Sequence, residues 1–339
     1  MTLRLRTILR APSRSGRPTC AASFFLSRGS GSALLFLLLL AASSLRAQQD
    51  NDTTLKVNVR LVDVFVNVTD SNGAVVGSLA RNDFALFEDG RPQTIALFER
   101  QTQVPLSLTL AIDTSGSVKK DLGAESASAK RFVRSVLRPQ DQMSVLQFAT
   151  FVNVLMPFTN KIPQIDRGLN HLHGGGGTAF YDAICTGSQT LGHKQGRKVL
   201  VVISDGDDTV ADSTYPQALE AALRNEVMIF SIIDVPIAAS AGRDTGGEHA
   251  LITLSQQTGG RYYYVAEGGG LDTAFAKLSE DLRTEYLLGY YPKNQVRGVN
   301  FHRITVTVPR AAPGAFHISS RAGYYEDTPA VSSHSEQLP

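Results

Sequence analysis

Cysteine is almost missing from this chain. Only Cys20 and Cys185 occur among 339 residues, which excludes the network of bridges that staples small exported domains. Cys20 falls in a leader described below, so the working chain keeps one thiol and no internal disulfide, and its stability has to come from packing. Cys185 lies in a helical stretch and reads as a small buried apolar residue. Long apolar runs are scarce as well. The run Ala33 to Ala42 is ten residues, well short of the roughly 20 needed to cross a bilayer as a helix. A single transmembrane span in the mature chain is therefore not expected.

The chain also has little net charge, +2 in all, and its distribution matters more than its size. Residues 1–47 hold Arg4, Arg6, Arg10, Arg14, Arg17, Arg28 and Arg46 and no acid, followed late by the apolar run and by Ser43-Ser44-Leu45-Arg46-Ala47. This reads as an export signal with a long basic front, with cleavage near Ala47 favoured over retention as an anchor. Without those seven arginines the formal charge is −5, which makes nucleic acid an unsuitable partner. The location implied is periplasmic or extracellular, or anchored if the signal stays uncleaved.

At this length the chain accommodates an ordinary α/β domain and a smaller module. Leu55, Val57, Val59 and Leu61 alternate, and the phase then shifts to Val62, Val64, Val66 and Val68, as at a bulge or between two strands. Turn signals at Asp70-Ser71-Asn72-Gly73 and at Glu88-Asp89-Gly90-Arg91-Pro92 complete a small antiparallel β module over 48–102. From Val104 apolar strands alternate with helical segments, which argues for an open, mainly parallel, Rossmann-like sheet flanked by helices over 103–284. Ala129, Phe132, Val133, Val136 and Leu137 follow the spacing of a core-facing helix stripe. Residues 285–326 turn β-like again and are expected to pair with the N-terminal module, and 327–339 read as a polar, disordered tail.

Five oxygen-bearing residues stand where strand patterns give way to loops: Asp113, Ser115, Ser117, Thr178 and Asp205. Hard cations such as Mg2+ take oxygen ligands and usually keep some water. The apolar strand Leu108 to Ile112 runs into Asp113-Thr114-Ser115-Gly116-Ser117, where Gly116 is expected to permit a tight turn. The run Gly174 to Gly177 delivers Thr178, and the strand Val199 to Ile203 ends in Ser204-Asp205-Gly206. These phrases, Asp-x-Ser-x-Ser, a glycine-rich loop ending in Thr, and strand-Ser-Asp-Gly, resemble the von Willebrand factor type A domain and its metal-ion-dependent adhesion site. The flanks, chiefly Phe84 to Gly90 and Tyr286 to Pro292, resemble the A-domain-related proteins of acidobacterial genomes. The resemblance implies Mg2+, with Mn2+ or Ca2+ as substitutes, contacted by the hydroxyls of Ser115, Ser117 and Thr178, with Asp113 and Asp205 acting directly or through water. It implies a non-catalytic, adhesion-type module whose protein partner presents an Asp or Glu to the ion. A scaffold or assembly subunit of an envelope complex is the alternative.

Other signals are weaker. Asp207 and Asp208 read as a solvated acidic loop, and His171-x-His173 as a solvated helix end without the further ligands zinc needs. The glycine run lacks the Gly-Lys-Ser/Thr ending of a phosphate loop. Tyr262 to Tyr264 read as a strand with alternate rings in the core. Catalysis finds no support: the Asp-Thr of Ile112-Asp113-Thr114 has Ser115 before Gly116 and no second copy. Aspartyl phosphatases carry a second acid where Ser115 stands, and no Gly-x-Ser-x-Gly elbow surrounds either serine.

Overall fold

The computed structural model describes residues 61–100, 103–116, 122–234, 245–265, 270–293, 300–312 and 314–326. The leader, Leu55 to Val59, Ser117 and the tail 327–339 lie outside the described residues.

Strands β5 (Leu106–Asp113), β6 (Gln142–Phe148), β7 (Val152–Thr159), β8 (Arg197–Ser204), β9 (Val227–Ile233) and β10 (Tyr262–Tyr264) form one sheet in the order β10-β9-β8-β5-β6-β7. All pairings in it are parallel except β6 with β7. Helices α1 (Leu122–Val136), α2 (Ile162–Asn170) and α6 (Gly270–Arg283) contribute to the core on one face; α3 (Phe180–Gly192), α4 (Tyr215–Arg224) and α5 (Thr245–Thr258) contribute on the other. Successive residues of β8 feed the two cores in turn, Val199, Val201 and Ile203 on one side and Leu200 and Val202 on the other. That double burial explains why the parallel strands read as unbroken apolar runs.

Phe132, Val133 and Val136 of the expected stripe are buried, and Phe132 stacks on Phe275 of α6 at 4.4 Å between ring centroids. Tyr263 is buried while Tyr262 and Tyr264 face outward. Helix α2 runs into the helix end expected at His171-x-His173, although its start carries no clear signal. Its Pro163 looks like a breaker in the sequence but stands in the first turn, where the missing N–H costs nothing. Cys185 is a free thiol at the margin of the core, half-buried rather than enclosed.

The flanks form two four-stranded sheets. One, β13 (Phe316–Ser320), β1 (Val62–Asp70), β11 (Tyr286–Tyr290) and β4 (Ile95–Arg100), pairs in that order. The other runs β14 (Gly323–Tyr325), β12 (Phe301–Thr307), β2 (Ala85–Glu88), β3 (Arg91–Gln93). N-terminal and C-terminal strands thus pair directly, β1 with β11 and β13, and β12 with β2, all antiparallel. Val64, Val66 and Val68 of β1 are fully buried, beside Leu86, Leu288 and Tyr290. At the start of β11, Asn67 Nδ2 donates to Glu285 Oε1 at 3.1 Å and Arg197 Nη1 to Glu285 Oε2 at 2.5 Å, so one buried acid joins the module to the base of β8.

Candidate functional site

The chain leaves β5 toward β6 on one side of the sheet and reaches β8 on the other, so the strand order reverses between β5 and β8. Open α/β sheets bind ligands in the crevice at such a point, beyond the carboxyl ends of the strands. Asp113 closes β5, and Ser204 closes β8 with Asp205 following it. The two ends touch: Ser204 Oγ donates to Asp113 Oδ2 at 2.6 Å. Asp113 Oδ1 accepts the Ser115 amide at 2.9 Å, a turn that brings Ser115 back under the carboxylate.

Threonines and glycines tie the loops together. The Gly175 amide donates to Thr114 O at 2.9 Å and the Gly116 amide to Gly176 O at 3.2 Å, joining the Asp113 loop to the glycine run. Thr150 Oγ1 accepts the Gly177 amide at 3.0 Å, and Thr209 Oγ1 accepts the Thr178 amide at 2.8 Å. The Thr209 amide returns to Thr178 O at 2.9 Å. Thr178 is thereby held between the loop after β6 and the loop after β8.

The tightness expected of Gly116 is found elsewhere. A Cβ on Gly116 would stand 3.5 Å from Gly176 O, an ordinary contact. Gly176 has φ +86° and a Cβ there would meet Thr150 Oγ1 at 2.1 Å, while Gly206 has φ +91° and its Cβ would meet Gly247 at 2.4 Å. Those two positions require glycine.

Asp113, Ser115 and Thr178 are buried and Asp205 is partly exposed, which leaves one side of the group open to solvent. Burial, the largest influence, pushes the Asp113 carboxyl up to about 6 against the hydrogen bonds of Ser204 and Ser115, and the Asp205 charge adds to the rise. Asp234, directly after β9, is also pushed up, by burial first and then by Asp205. Among the described residues none of these three acids is ion-paired to a Lys, Arg or His. An oxygen-only donor set with uncompensated negative charge fits a hard divalent cation.

Three neighbours were not singled out from the sequence as site residues. Ser204 was quoted only as part of a phrase. Asp234 follows an apolar strand as Asp113 and Asp205 do, and that repeated strand-then-Asp pattern was the available signal. Asp208 is not simply a solvated acid: its Oδ1 accepts the Phe180 amide at 2.9 Å and secures the start of α3 beside Thr178. His171 caps the end of α2, and its carbonyl faces His173 Nδ1 at 2.9 Å, in keeping with a helix end.

A doubly covered, mainly parallel sheet with acids and hydroxyls at its switch point defines the class: an α/β domain of Rossmann-like topology. Residues 108–207 match the family model described as von Willebrand factor type A domain. Domains of this family are generally non-catalytic interaction modules. No curated protein matches the chain. Among solved structures it is similar to the conserved hypothetical protein BatB from Bacteroides thetaiotaomicron, at 18% identity, TM-score 0.42, covering 52% of this chain and 97% of that one. It is similar also to the vWF domain of the type V pili tip protein Mfa5 from Porphyromonas gingivalis, at 12% identity, TM-score 0.42, covering 53% and 95%. The PilB minor pilin from Streptococcus sanguinis is a third, at 14% identity, TM-score 0.42, covering 54% and 62%.

Proposed function

We propose that this is an exported, non-catalytic binding protein whose A-type domain, spanning 103–284, holds Mg2+ with Asp113, Ser115, Ser117, Thr178 and Asp205, and whose protein partner supplies an Asp or Glu side chain to the ion. The observation that carries this reading is the tie between the ends of β5 and β8, where the buried Asp113 carboxylate is oriented by Ser204 and Ser115 yet lacks a cationic partner among the described residues. A bound Mg2+ would supply that positive charge and an open position for a carboxylate oxygen. Asp113 and Ser115 are oriented by the turn, and Thr178 is held by Thr209, with Thr150 holding Gly177 just before it. Hydroxyl ligands donate less charge than carboxylates, so the ion keeps its appetite for an outside acid. Residues 1–47 would direct export, and among the described residues no helix is long and apolar enough to cross a membrane.

The test has two stages. Calorimetric titration of the full chain should show Mg2+ or Mn2+ binding that Asp113→Ala abolishes. A partner captured from an envelope extract in Mg2+ should elute in EDTA and should not be captured by Asp113→Ala. Absence of heat with magnesium, manganese and calcium, or capture that survives both EDTA and the substitution, would refute the reading.

A further inference from the structure

A second cluster of chemistry-bearing side chains lies outside the A-type domain, in the sheet formed by the two flanks. Glu88 ends β2, Asp89 begins the turn into β3, His302 lies on β12, and Glu326 follows β14. The strands are neighbours in the order β14-β12-β2-β3. One atom each from Glu88, Asp89 and His302 lies within 4.8 Å of the others. His302 Nδ1 stands 2.8 Å from Asp89 Oδ2 and 3.8 Å from Glu88 Oε1. Its Nε2 faces Glu326 Oε2 at 3.7 Å.

His302 is 0% exposed, and Nε2 has no hydrogen-bond partner among the described residues. A buried ring nitrogen left without a partner is costly, and its nearest polar neighbour belongs to the same carboxylate cluster. Three carboxylates surround the one imidazole, and from outside the trio Arg91 acts on Asp89.

Each of the two carboxylates in the trio is held by its other oxygen. Tyr290 Oη donates to Glu88 Oε2 at 2.5 Å, and Tyr324 Oη reaches the same oxygen at 3.3 Å, so Oε1 is turned toward His302. The Arg303 amide donates to Asp89 Oδ1 at 2.8 Å, leaving Oδ2 on the imidazole. Asp89 itself has φ +49° and its amide donates to Arg303 O at 2.9 Å, which locks the turn against β12. Orientation of metal ligands through their outer atoms, with a carboxylate behind a histidine, is the arrangement metal sites use to fix tautomer and geometry.

We infer that Glu88, Asp89 and His302 form a site for a first-row transition dication of the Zn2+ type, with His302 binding through Nδ1, Glu326 accepting the Nε2 proton, and water in the fourth position. The mixed imidazole and carboxylate set suits Zn2+ and its congeners over Mg2+. The ion would replace the Asp89–His302 hydrogen bond and clip the N-terminal hairpin to both C-terminal strands. This site does not depend on the Mg2+ reading above.

The experiment uses the full chain carrying Asp113→Ala and Cys185→Ser, so that neither the strand-end site nor the thiol takes up metal. After chelation and dialysis, Zn2+ alone is titrated and Co2+ is substituted for visible spectroscopy. One equivalent of Zn2+ is expected, with a rise in melting temperature and the visible bands of low-coordinate Co2+. Asp89→Asn, isosteric and at the surface, should remove uptake and the Zn2+-induced rise in melting temperature, each measured against the metal-free form of the same variant. His302→Gln should do the same to uptake, and Glu326→Gln should weaken binding about 10- to 100-fold. No Zn2+ uptake by the parent, or equal uptake by Asp89→Asn, would overturn the proposal and leave His302 as a buried ion-pair histidine.

Discussion

In the A-type domain the acids stand at or just past the ends of parallel strands, whose loops must be tied to one another before the side chains meet. In the flanking sheets Glu88 and His302 lie within antiparallel strands, and their meeting follows from strand pairing itself. The first arrangement keeps a face open and surrounds carboxylates with hydroxyls and amides. The second encloses an imidazole completely and pins Glu88 and Asp89 by one oxygen each. The difference teaches that donor chemistry follows from position: loop ends collect hydroxyls and remain accessible, whereas a sheet interior admits a histidine only if its polar atoms are matched. One region is suited to meeting a partner and the other to holding the chain's two flanks together.

The sharpest way to break the comparison is at the joint between the regions. Arg197 and Glu285 are both buried, with Arg197 also donating to Leu282 O at 2.8 Å. Burial is the main influence pushing the Glu285 carboxyl up, and Arg197 and Asn67 oppose it. Arg197→Ala strands that acid without its partner and should cost about 3–5 kcal/mol in denaturant unfolding. Replacing both members, Arg197→Met with Glu285→Leu, should cost far less. Equal losses for the single and double variants would show that packing alone, rather than charge pairing, makes the joint.

Asp113→Ala addresses the strand-end site alone. If a partner's carboxylate meets the ion there, losing it should weaken capture by about 2–5 kcal/mol, tens-fold or more. Chemical denaturation of the same variant should report an intact fold, and Zn2+ uptake at His302 should persist. Concerted loss of both metals would mean that the two regions are not separate sites.

Gly206→Ala is a smaller perturbation of the same loop. The positive φ and the 2.4 Å approach to Gly247 leave no room for a methyl group, so the loop after β8 must shift away from α5. A loss of about 1–3 kcal/mol is expected, read as a lower melting temperature, with weaker Mg2+ binding because Asp205 precedes the displaced residue. Unchanged Mg2+ affinity would place Asp205 outside the ligand set.

Local chemistry governed what could be read from the sequence. The parallel sheet was legible because strands buried on both faces, such as Val199 to Ile203, show themselves as apolar runs, and helices such as α1 show a 3.6-residue stripe. Asp113 and Asp205 stand out in the sequence because each comes at the end of such a run, and Ser115 lies two residues past Asp113. Asp208's hold on α3 was not, since it depends on where the loop folds back after Thr209. The His302 cluster was illegible for a stronger reason: Asp89 and His302 are 213 residues apart, and only the pairing of β2 with β12 brings them together. The exposed-looking Asp89-Gly90 turn carried a hairpin signal and concealed a contact. Strands β13 and β14 fall inside the β segment expected over 285–326, but at five and three residues they are too short to stand out as separate strands in the sequence.

The mildest expected effect concerns Asp182, an acid in the first turn of α3 that binds no ion in either proposal. Its carboxylate accepts the Ser213 amide at 2.9 Å and the Asp212 amide at 3.1 Å. Burial acts to raise its pKa, but the Ser213 hydroxyl and these two amides together outweigh it, and the net shift is below the ordinary value of 3.8. A depressed folded-state pKa contributes stability that is present above the unfolded value and is lost as pH falls through the folded one. Asp182→Asn should therefore destabilise the protein by roughly 1 kcal/mol at pH 7, and the gap to wild type should close below pH 3.8 as the native carboxylate takes up its proton. Denaturant midpoints measured across that range decide the point: a gap that stays constant with pH would mean that the amides are held by geometry, without help from the charge. The same scan distinguishes this acid from those at the metal sites, because added Mg2+ or Zn2+ should leave the Asp182 difference untouched.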